Sequence, residues 1–143
     1  MTVGILLKRK SAALVTIAPD VSLTDAIVCL AKHRIGAVVV VDDRGRLVGI
    51  LSERDVVRIL AEKGVEILGA PVSSVMTRSV VTCTADESIP TIMERMTTGR
   101  FRHVPVVEGD AMLGIISIGD VVKHRVEEME HESAQLRHYI MSA

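Results

Sequence analysis

Two short sequences place a carboxylate three residues after a serine, and each follows a run of aliphatic residues. They run from Ser52 to Asp55 and from Ser117 to Asp120. A carboxylate one turn into a helix can accept hydrogen bonds from both hydroxyls of a ribose diol, while the N–H groups of the helix start favour a phosphate. The same spacing also suits an ordinary helix N-cap. Capping and ligand binding are therefore both open for each pair.

Both pairs belong to an internal repeat that covers most of the chain. Aligning residue 16 with residue 82, with one residue dropped from the second copy's turn, brings identical residues together along both copies. The identical pairs are Thr16/Thr82, Asp20/Asp86, Ser22/Ser88, Arg34/Arg100, Val38/Val104, Val40/Val106, Val41/Val107, Gly49/Gly114, Ile50/Ile115, Ser52/Ser117, Asp55/Asp120, Val56/Val121 and Val57/Val122. Recurrence of one motif at the same place in two copies favours ligand binding over capping alone.

Each copy is predicted to fold in the order β-α-β-β-α. Strands are expected over 14–18, 37–41 and 47–51, and again over 80–84, 104–107 and 112–116. Helices begin near Ser22 and Ser52 and at their counterparts, with apolar residues at helical spacing. Pro105 cannot donate a hydrogen bond to a sheet, so its strand should lie at an edge or carry a bulge.

The predicted units are repeat 1 over 10–62, a connector over 63–74, repeat 2 over 75–125 and a C-terminal helix extension over 126–143. The fold class is α+β, a mixed α/β arrangement. The apolar stripe of the last helix continues past its repeat, which predicts a helical contact in a homodimer. Its members are Val122, Val126, Met129, Leu136 and Ile140.

Composition excludes several classes of function. The 17 Lys and Arg against 18 Asp and Glu leave no basic field for nucleic acid, and Phe101 and Tyr139 are too few to bind single-stranded nucleic acid by stacking successive bases. Cys29 and Cys83 form neither a disulfide framework nor a zinc site, and no metal site is expected. No apolar run approaches a bilayer span. A cytoplasmic protein without a membrane or nucleic-acid partner is expected.

The sequence from Gly49 to Asp55, GILSERD, and its counterpart from Gly114 to Asp120, GIISIGD, resemble the motif of a tandem CBS-domain pair, also called a Bateman module. The segments 71–77 and 102–106 add to the resemblance, which covers roughly residues 10–125. It implies two β-α-β-β-α repeats packed as a pseudo-twofold pair, with an extended C-terminal helix. It also implies clefts that bind adenine nucleotides and pass a signal to an enzyme or transporter.

The resemblance carries binding roles to particular residues. The two aspartates would hold the ribose, and the two serines could offer hydroxyls to the ribose or the phosphate. Arg102 and His103 occupy a position that often supplies cations to phosphates, whereas repeat 1 has Gly36 and Ala37 there. A solvated strand end is the alternative for these two residues. A cleft of the second copy would therefore carry these cations, and the first would depend on Arg54.

Further candidates lie before each repeat and on its first strand. Lys10 precedes the first repeat closely enough to reach a phosphate, although a solvated tail is the alternative. Residues of the first strand of each copy resemble positions that flank the adenine, where backbone groups can read the base. The full candidate set is Lys10, Thr16, Ile17, Ala37, Ser52, Arg54, Asp55, Thr82, Cys83, Arg102, His103, Ser117 and Asp120.

The expected function is a stand-alone regulatory module that binds an adenosine nucleotide and acts in trans on a partner protein. AMP is the first choice, with ADP and ATP as related ligands and NAD(H) as the second choice. The cations favour a phosphate-bearing ligand over S-adenosylmethionine. No Ser–base pair, Gly-rich phosphate loop or metal cluster supports an enzyme. The main alternative is a dimerisation module whose aspartates only cap helices.

Overall fold

The structure, a computed structural model, describes residues 1–11 and 13–142. It confirms the mixed α+β class and the long C-terminal helix. The helices are α1 (Val3–Lys10), α2 (Leu23–His33), α3 (Glu53–Lys63), α4 (Ile89–Gly99) and α5 (Ile118–Ser142). The strands are β1 (Thr16–Ile17), β2 (Ala37–Val41), β3 (Leu47–Ser52), β4 (His103–Glu108) and β5 (Ala111–Ser117). Short 3₁₀ turns at Val65–Gly69 and Val72–Ser74 connect the repeats.

Repeat 1 forms a three-stranded sheet in the order β1-β2-β3. β1 is parallel to β2, and β2 is antiparallel to β3. The Ser22 side chain caps α2 by accepting from the Asp25 N–H. The apolar face of α2 buries Leu23, Ala26 and Leu30 against the sheet, as its spacing predicts.

Repeat 2 differs from the prediction at its first strand. The expected strand over 80–84 is reduced to one bridge, in which the Cys83 N–H donates to the Pro105 carbonyl and the Cys83 carbonyl accepts from the Val107 N–H. Extending this parallel pairing back to Val81 would need an N–H from Pro105, which a proline lacks. β4 and β5 therefore form a two-stranded sheet, with the proline on an edge strand as expected.

The hydrophobic core of each repeat is completed by the segment that precedes the other repeat. Val3 and Leu6 of α1 pack in the core of repeat 2, whereas Val72 and Met76 pack in the core of repeat 1. Backbone bonds follow the same pattern, because the Val3 N–H donates to Glu87 and the Val72 N–H donates to Val21. This crossed packing ties the two repeats into one body.

Two glycines make the crossed packing possible. A Cβ at Gly49 would collide with the Met76 side chain, and a Cβ at Gly114 would lie 2.7 Å from a Leu7 methyl group. Each glycine leaves room for a side chain of the crossing segment to lie on the sheet. The recurrence of glycine at this position in both copies therefore has a packing reason.

α5 extends beyond repeat 2 and exposes the predicted apolar stripe. His124 is buried beside Val121, with its Nε2 atom 3.1 Å from a Glu128 carboxylate oxygen. Over residues 1–11 and 13–142, no helix combines the length and the apolar character needed to cross a lipid bilayer.

Candidate functional site

A cavity of about 580 Å³ opens between the two repeats, at the start of α3. Its volume lies within the usual range for small-molecule sites. Five predicted residues share its wall: Ser52, Arg54 and Asp55 from repeat 1, with Arg102 and His103 from repeat 2. The other lining residues are Gly36, Ile50, Glu53, Arg58, Thr77, Ser79, Val80, Val81, Gly99, Arg100 and Phe101.

Asp55 lies where α3 begins and is held by its own helix. Its Oδ2 atom accepts from the Ser52 N–H at 3.0 Å, and the Ser52 hydroxyl accepts from the Asp55 N–H at 3.1 Å. Arg58 donates to Oδ1 at 3.1 Å, although its side chain is 57% exposed. The capping box therefore fixes this carboxylate at the cavity wall, and capping and binding are compatible at one residue.

Arg102 and His103, which were expected to serve the cleft of the second copy, line the cavity that contains Asp55. His103 also pairs with Ser117, next to the start of α5. The Arg102 carbonyl still accepts from Ile118 at the start of α5, at 2.7 Å. The packing of the repeats places Arg102 and His103 of repeat 2 on the same cavity as the start of α3, so these two residues and the predicted ribose-binding carboxylate come from different copies.

Cations outnumber anions on the cavity wall. Four arginines, Arg54, Arg58, Arg100 and Arg102, stand against the carboxylates of Glu53 and Asp55. Guanidinium groups suit forked contacts to phosphate oxygens, and the N-terminus of α3 adds its dipole. The wall therefore combines a carboxylate for hydroxyl groups with a positive field for a phosphate.

Sequence reasoning missed three lining residues with useful chemistry. Arg58 follows Asp55 by one helical turn, and Arg100 ends α4 with a left-handed backbone, as Arg34 ends α2. Phe101 presents a ring that could stack on a base. The identity of Arg34 and Arg100 in the repeat alignment and the presence of a single phenylalanine in the chain were signals that could have drawn attention to two of them.

His103 lies between the two helix starts of the pair. Burial lowers the pKa of its imidazole, and the charges of Lys10 and Arg102 lower the pKa further, while Asp120 and Glu53 act in the opposite direction. The imidazole also contacts Gly36, where a Cβ would lie 3.0 Å from Nε2. His103 is therefore mainly neutral at neutral pH and offers one N–H donor to the cavity.

The free energy of unfolding is expected to fall as the pH drops below 6.5, the ordinary pKa of histidine. In that window the unfolded chain binds a proton at His103 that the folded chain does not bind, so acid favours the unfolded state. Urea unfolding at about pH 7.5 and about pH 5.5 should show a weaker pH dependence in His103→Gln. The exposed His131, changed to Gln, is the control and should leave the dependence unchanged. This account would be contradicted if the free energy of unfolding changed by the same amount between the two pH values in His103→Gln and in the unmodified chain.

The second serine–aspartate pair has the same capping geometry but a different neighbour. Asp120 Oδ2 accepts from the Ser117 N–H at 2.9 Å and also from the Lys10 ammonium at 2.8 Å. Burial opposes ionisation of this carboxyl, but the hydrogen bonds from Lys10 and Ser117 outweigh it and lower the pKa of Asp120. Lys10 was predicted to reach a phosphate, and in this structure it contacts the second aspartate.

The remaining candidates lie away from the wall of the Asp55 cavity. Thr16 and Ile17 pair with the middle of β2, and Ala37 pairs with Ser52 at the start of that strand. Thr82 and Cys83 precede α4, where the Cys83 side chain is 2% exposed and belongs to the core of repeat 2. The backbone N–H and carbonyl of Cys83 both bond to β4, and burial raises the pKa of its thiol to about 11.

Comparison with known proteins assigns the family. The family model for the CBS domain matches residues 10–62 and 72–127, and the chain belongs to that family with two copies of the domain. A CBS-domain containing protein from Agrobacterium tumefaciens has a similar crystal structure, with a TM-score of 0.84 and 50% sequence identity, covering 87% of this chain and 99% of that one.

A curated relative is the mitochondrial CBS domain-containing protein CBSX3 of Arabidopsis thaliana, which is 35% identical over 85% of this chain and 61% of its own length. The chain thus spans about three fifths of the length of that relative.

Two similar structures contain adenosine compounds. A CBS domain protein from Pyrobaculum aerophilum is complexed with AMP; it is 25% identical, with a TM-score of 0.75, over 84% of this chain and 89% of that one. The CBS domain pair of protein MJ0100 is in complex with 5′-methylthioadenosine and S-adenosyl-L-methionine. It is 28% identical, with a TM-score of 0.79, over 90% of this chain and 98% of that one.

Proposed function

We propose that this CBS pair is a regulatory module that binds an adenine nucleotide in the cavity beside Asp55, with AMP as the first choice. The observation that carries the proposal is the arrangement of the cavity wall, where a helix-capping carboxylate from repeat 1 faces arginines from both repeats. The carboxylate would accept the 2′- and 3′-hydroxyls of the ribose. The occurrence of AMP in a similar structure supports the choice of ligand.

The remaining lining residues suit the other parts of a nucleotide. Arg54 at the start of α3 and Arg102 on the facing repeat would hold the phosphate together with the helix N–H groups. Phe101 would pack on the adenine ring. Several arginines line the wall, so ADP, ATP and NAD(H) stay as further candidates. S-adenosylmethionine has no phosphate to use that positive field.

Ligand binding across two repeats gives a simple route for a signal. A nucleotide that contacts Asp55 on one repeat and Arg102 on the other would favour the arrangement of repeats that closes on it. The surfaces outside the cavity would then change for a partner protein or for a second copy of the chain. The exposed apolar stripe of α5, which includes Val126 and Leu136, is the proposed surface of a homodimer.

A thermal unfolding panel tests the proposed ligand class. AMP, ADP, ATP, NAD⁺, NADH and S-adenosylmethionine are each added to the full chain, and the midpoint is measured. A ligand at about 100 times its Kd adds about 2.7 kcal/mol to the free energy of unfolding, which raises the midpoint by several degrees. We expect the largest shift with AMP. If none of the six compounds shifts the midpoint, the dimerisation module without a ligand becomes the better account.

A further inference from the structure

A lysine from the N-terminal helix lies on the second aspartate. The Lys10 ammonium donates to Asp120 Oδ2 at 2.8 Å and to the Ile115 carbonyl at 3.0 Å. The two side chains are only 26% and 21% exposed. A partly buried pair of this kind is screened less by water and salt than an ion pair on the open surface.

In repeat 1, the carbonyl and the carboxylate equivalent to those of Ile115 and Asp120 have different hydrogen-bond partners. The Ile50 carbonyl, which corresponds to that of Ile115, accepts from the backbone N–H of Thr77 at 3.0 Å. The cation on Asp55 is Arg58 from the same helix, and it is largely exposed. The segment that packs on repeat 1 therefore bonds to its sheet through the backbone of Thr77, and the Asp55 carboxylate lies at the cavity wall.

The difference arises from the crossing segments. Leu7 packs against Gly114, and α1 continues as a helix from there to Lys10. In the segment that packs on repeat 1, Met76 lies against Gly49. The chain then leaves the sheet, and Ser79 and Val80 line the cavity. Within the part of the chain that the structure describes, the helical continuation thus places a lysine ammonium on Asp120 and none on Asp55.

We propose that Lys10 is an internal competitor, which occupies the Asp120 site in place of a ribose diol, so that each chain binds one nucleotide, at Asp55. This inference rests on the proposed function. The ammonium donates to the carboxylate that a ligand's hydroxyls would need. A ligand's hydroxyls at Asp120 would compete with the ammonium for this carboxylate, and displacing the ammonium would leave a partly buried charge without its partner, which is unfavourable.

Titration calorimetry with AMP on the full chain tests the inference. The unmodified chain should bind one AMP. Lys10→Met keeps the apolar stem of the side chain but removes its donors, and we expect this variant to bind two AMP per chain. The double variant with Asp55→Asn and Lys10→Met should lose AMP binding at Asp55 and bind one AMP per chain, at Asp120. Lys8→Met is the matched control, since Lys8 is exposed on the same helix, and it should bind one.

The possible outcomes separate the inference from the function on which it rests. Two AMP per unmodified chain, or one AMP in both Lys10→Met and a second variant, Lys10→Gln, would overturn the role of Lys10 while leaving the proposed function intact. An absence of AMP binding to the unmodified chain would overturn the proposed function, and this inference with it. Circular dichroism of each variant identifies any that fails to fold.

Discussion

Replacing Asp55 by Asn is expected to weaken AMP binding roughly 10- to 150-fold. A hydrogen bond to a charged group contributes about 1.5–3 kcal/mol, and each 1.4 kcal/mol corresponds to about tenfold in Kd. Asn keeps the size of the side chain and can still accept from the Ser52 N–H, which the Asp55 carboxylate does at 3.0 Å. The start of α3 should therefore be retained, and titration calorimetry would report the loss of binding alone.

Asp120→Asn is the matched control, because Asp120 holds the same position in the other repeat and makes the same capping contacts with Ser117. We expect the Kd for AMP to change by less than about twofold, since Lys10 already occupies this carboxylate. If Asp120→Asn weakened AMP binding as much as Asp55→Asn, nucleotide binding could not be assigned to the Asp55 cavity.

Replacing Leu6 by Ala is expected to lower the free energy of unfolding by about 2–5 kcal/mol, the usual range for a buried leucine. Leu6 lies on α1, precedes repeat 1 in the chain and is 7% exposed within the core of repeat 2. Its removal would leave a void between the crossing helix and that core. Urea unfolding followed by circular dichroism measures the change.

Ile5→Ala is the control for this prediction, since Ile5 is the neighbouring residue of the same helix and is 46% exposed. Substitutions at exposed positions usually change the free energy of unfolding by about 0.5 kcal/mol or less, and we expect a loss below about 1 kcal/mol. Similar losses for Leu6→Ala and Ile5→Ala would mean that α1 is not part of the core of repeat 2.

The element order could be predicted from the sequence because local patterns determine it. Apolar residues at helical spacing predicted the buried face of α2, and the continuous apolar run from Ala37 to Val41 predicted a strand. The expected strand over 80–84 was wrong in extent, because the absence of an N–H at Pro105 limits pairing on the far side of β4. The proline predicted an edge strand, but the shortening of the neighbouring strand over 80–84 was not predicted from it.

The crossed packing could not be predicted from local patterns. The apolar residues around Val3 are compatible with a core position, but nothing in their spacing says which repeat they contact. The same holds for Val72, which lies in the predicted connector and is fully buried in repeat 1. A choice between two similar cores depends on tertiary contacts, and those are set by chain geometry and not by periodicity.

The candidate site was predicted in part for the same reason. The serine and aspartate of each pair could be located because the motif that contains them is contiguous. Arg102 was expected at the cleft of the second copy. Its place on the Asp55 cavity follows from the packing of the repeats, which brings together residues about 50 positions apart. Lys10 was recognised as a cation near a cleft, but its ion pair with Asp120 was not predicted.

The central claim is that the Asp55 carboxylate binds the ribose of an adenine nucleotide. The most direct measurement is the Kd of AMP and of 2′-deoxy-AMP for the unmodified chain and for Asp55→Asn. Removal of the 2′-hydroxyl should weaken binding about tenfold or more in the unmodified chain and have little effect in the variant, because its hydrogen-bond partner has already been changed. An equal loss in both proteins would show that the hydroxyl and Asp55 act independently, and would contradict the account.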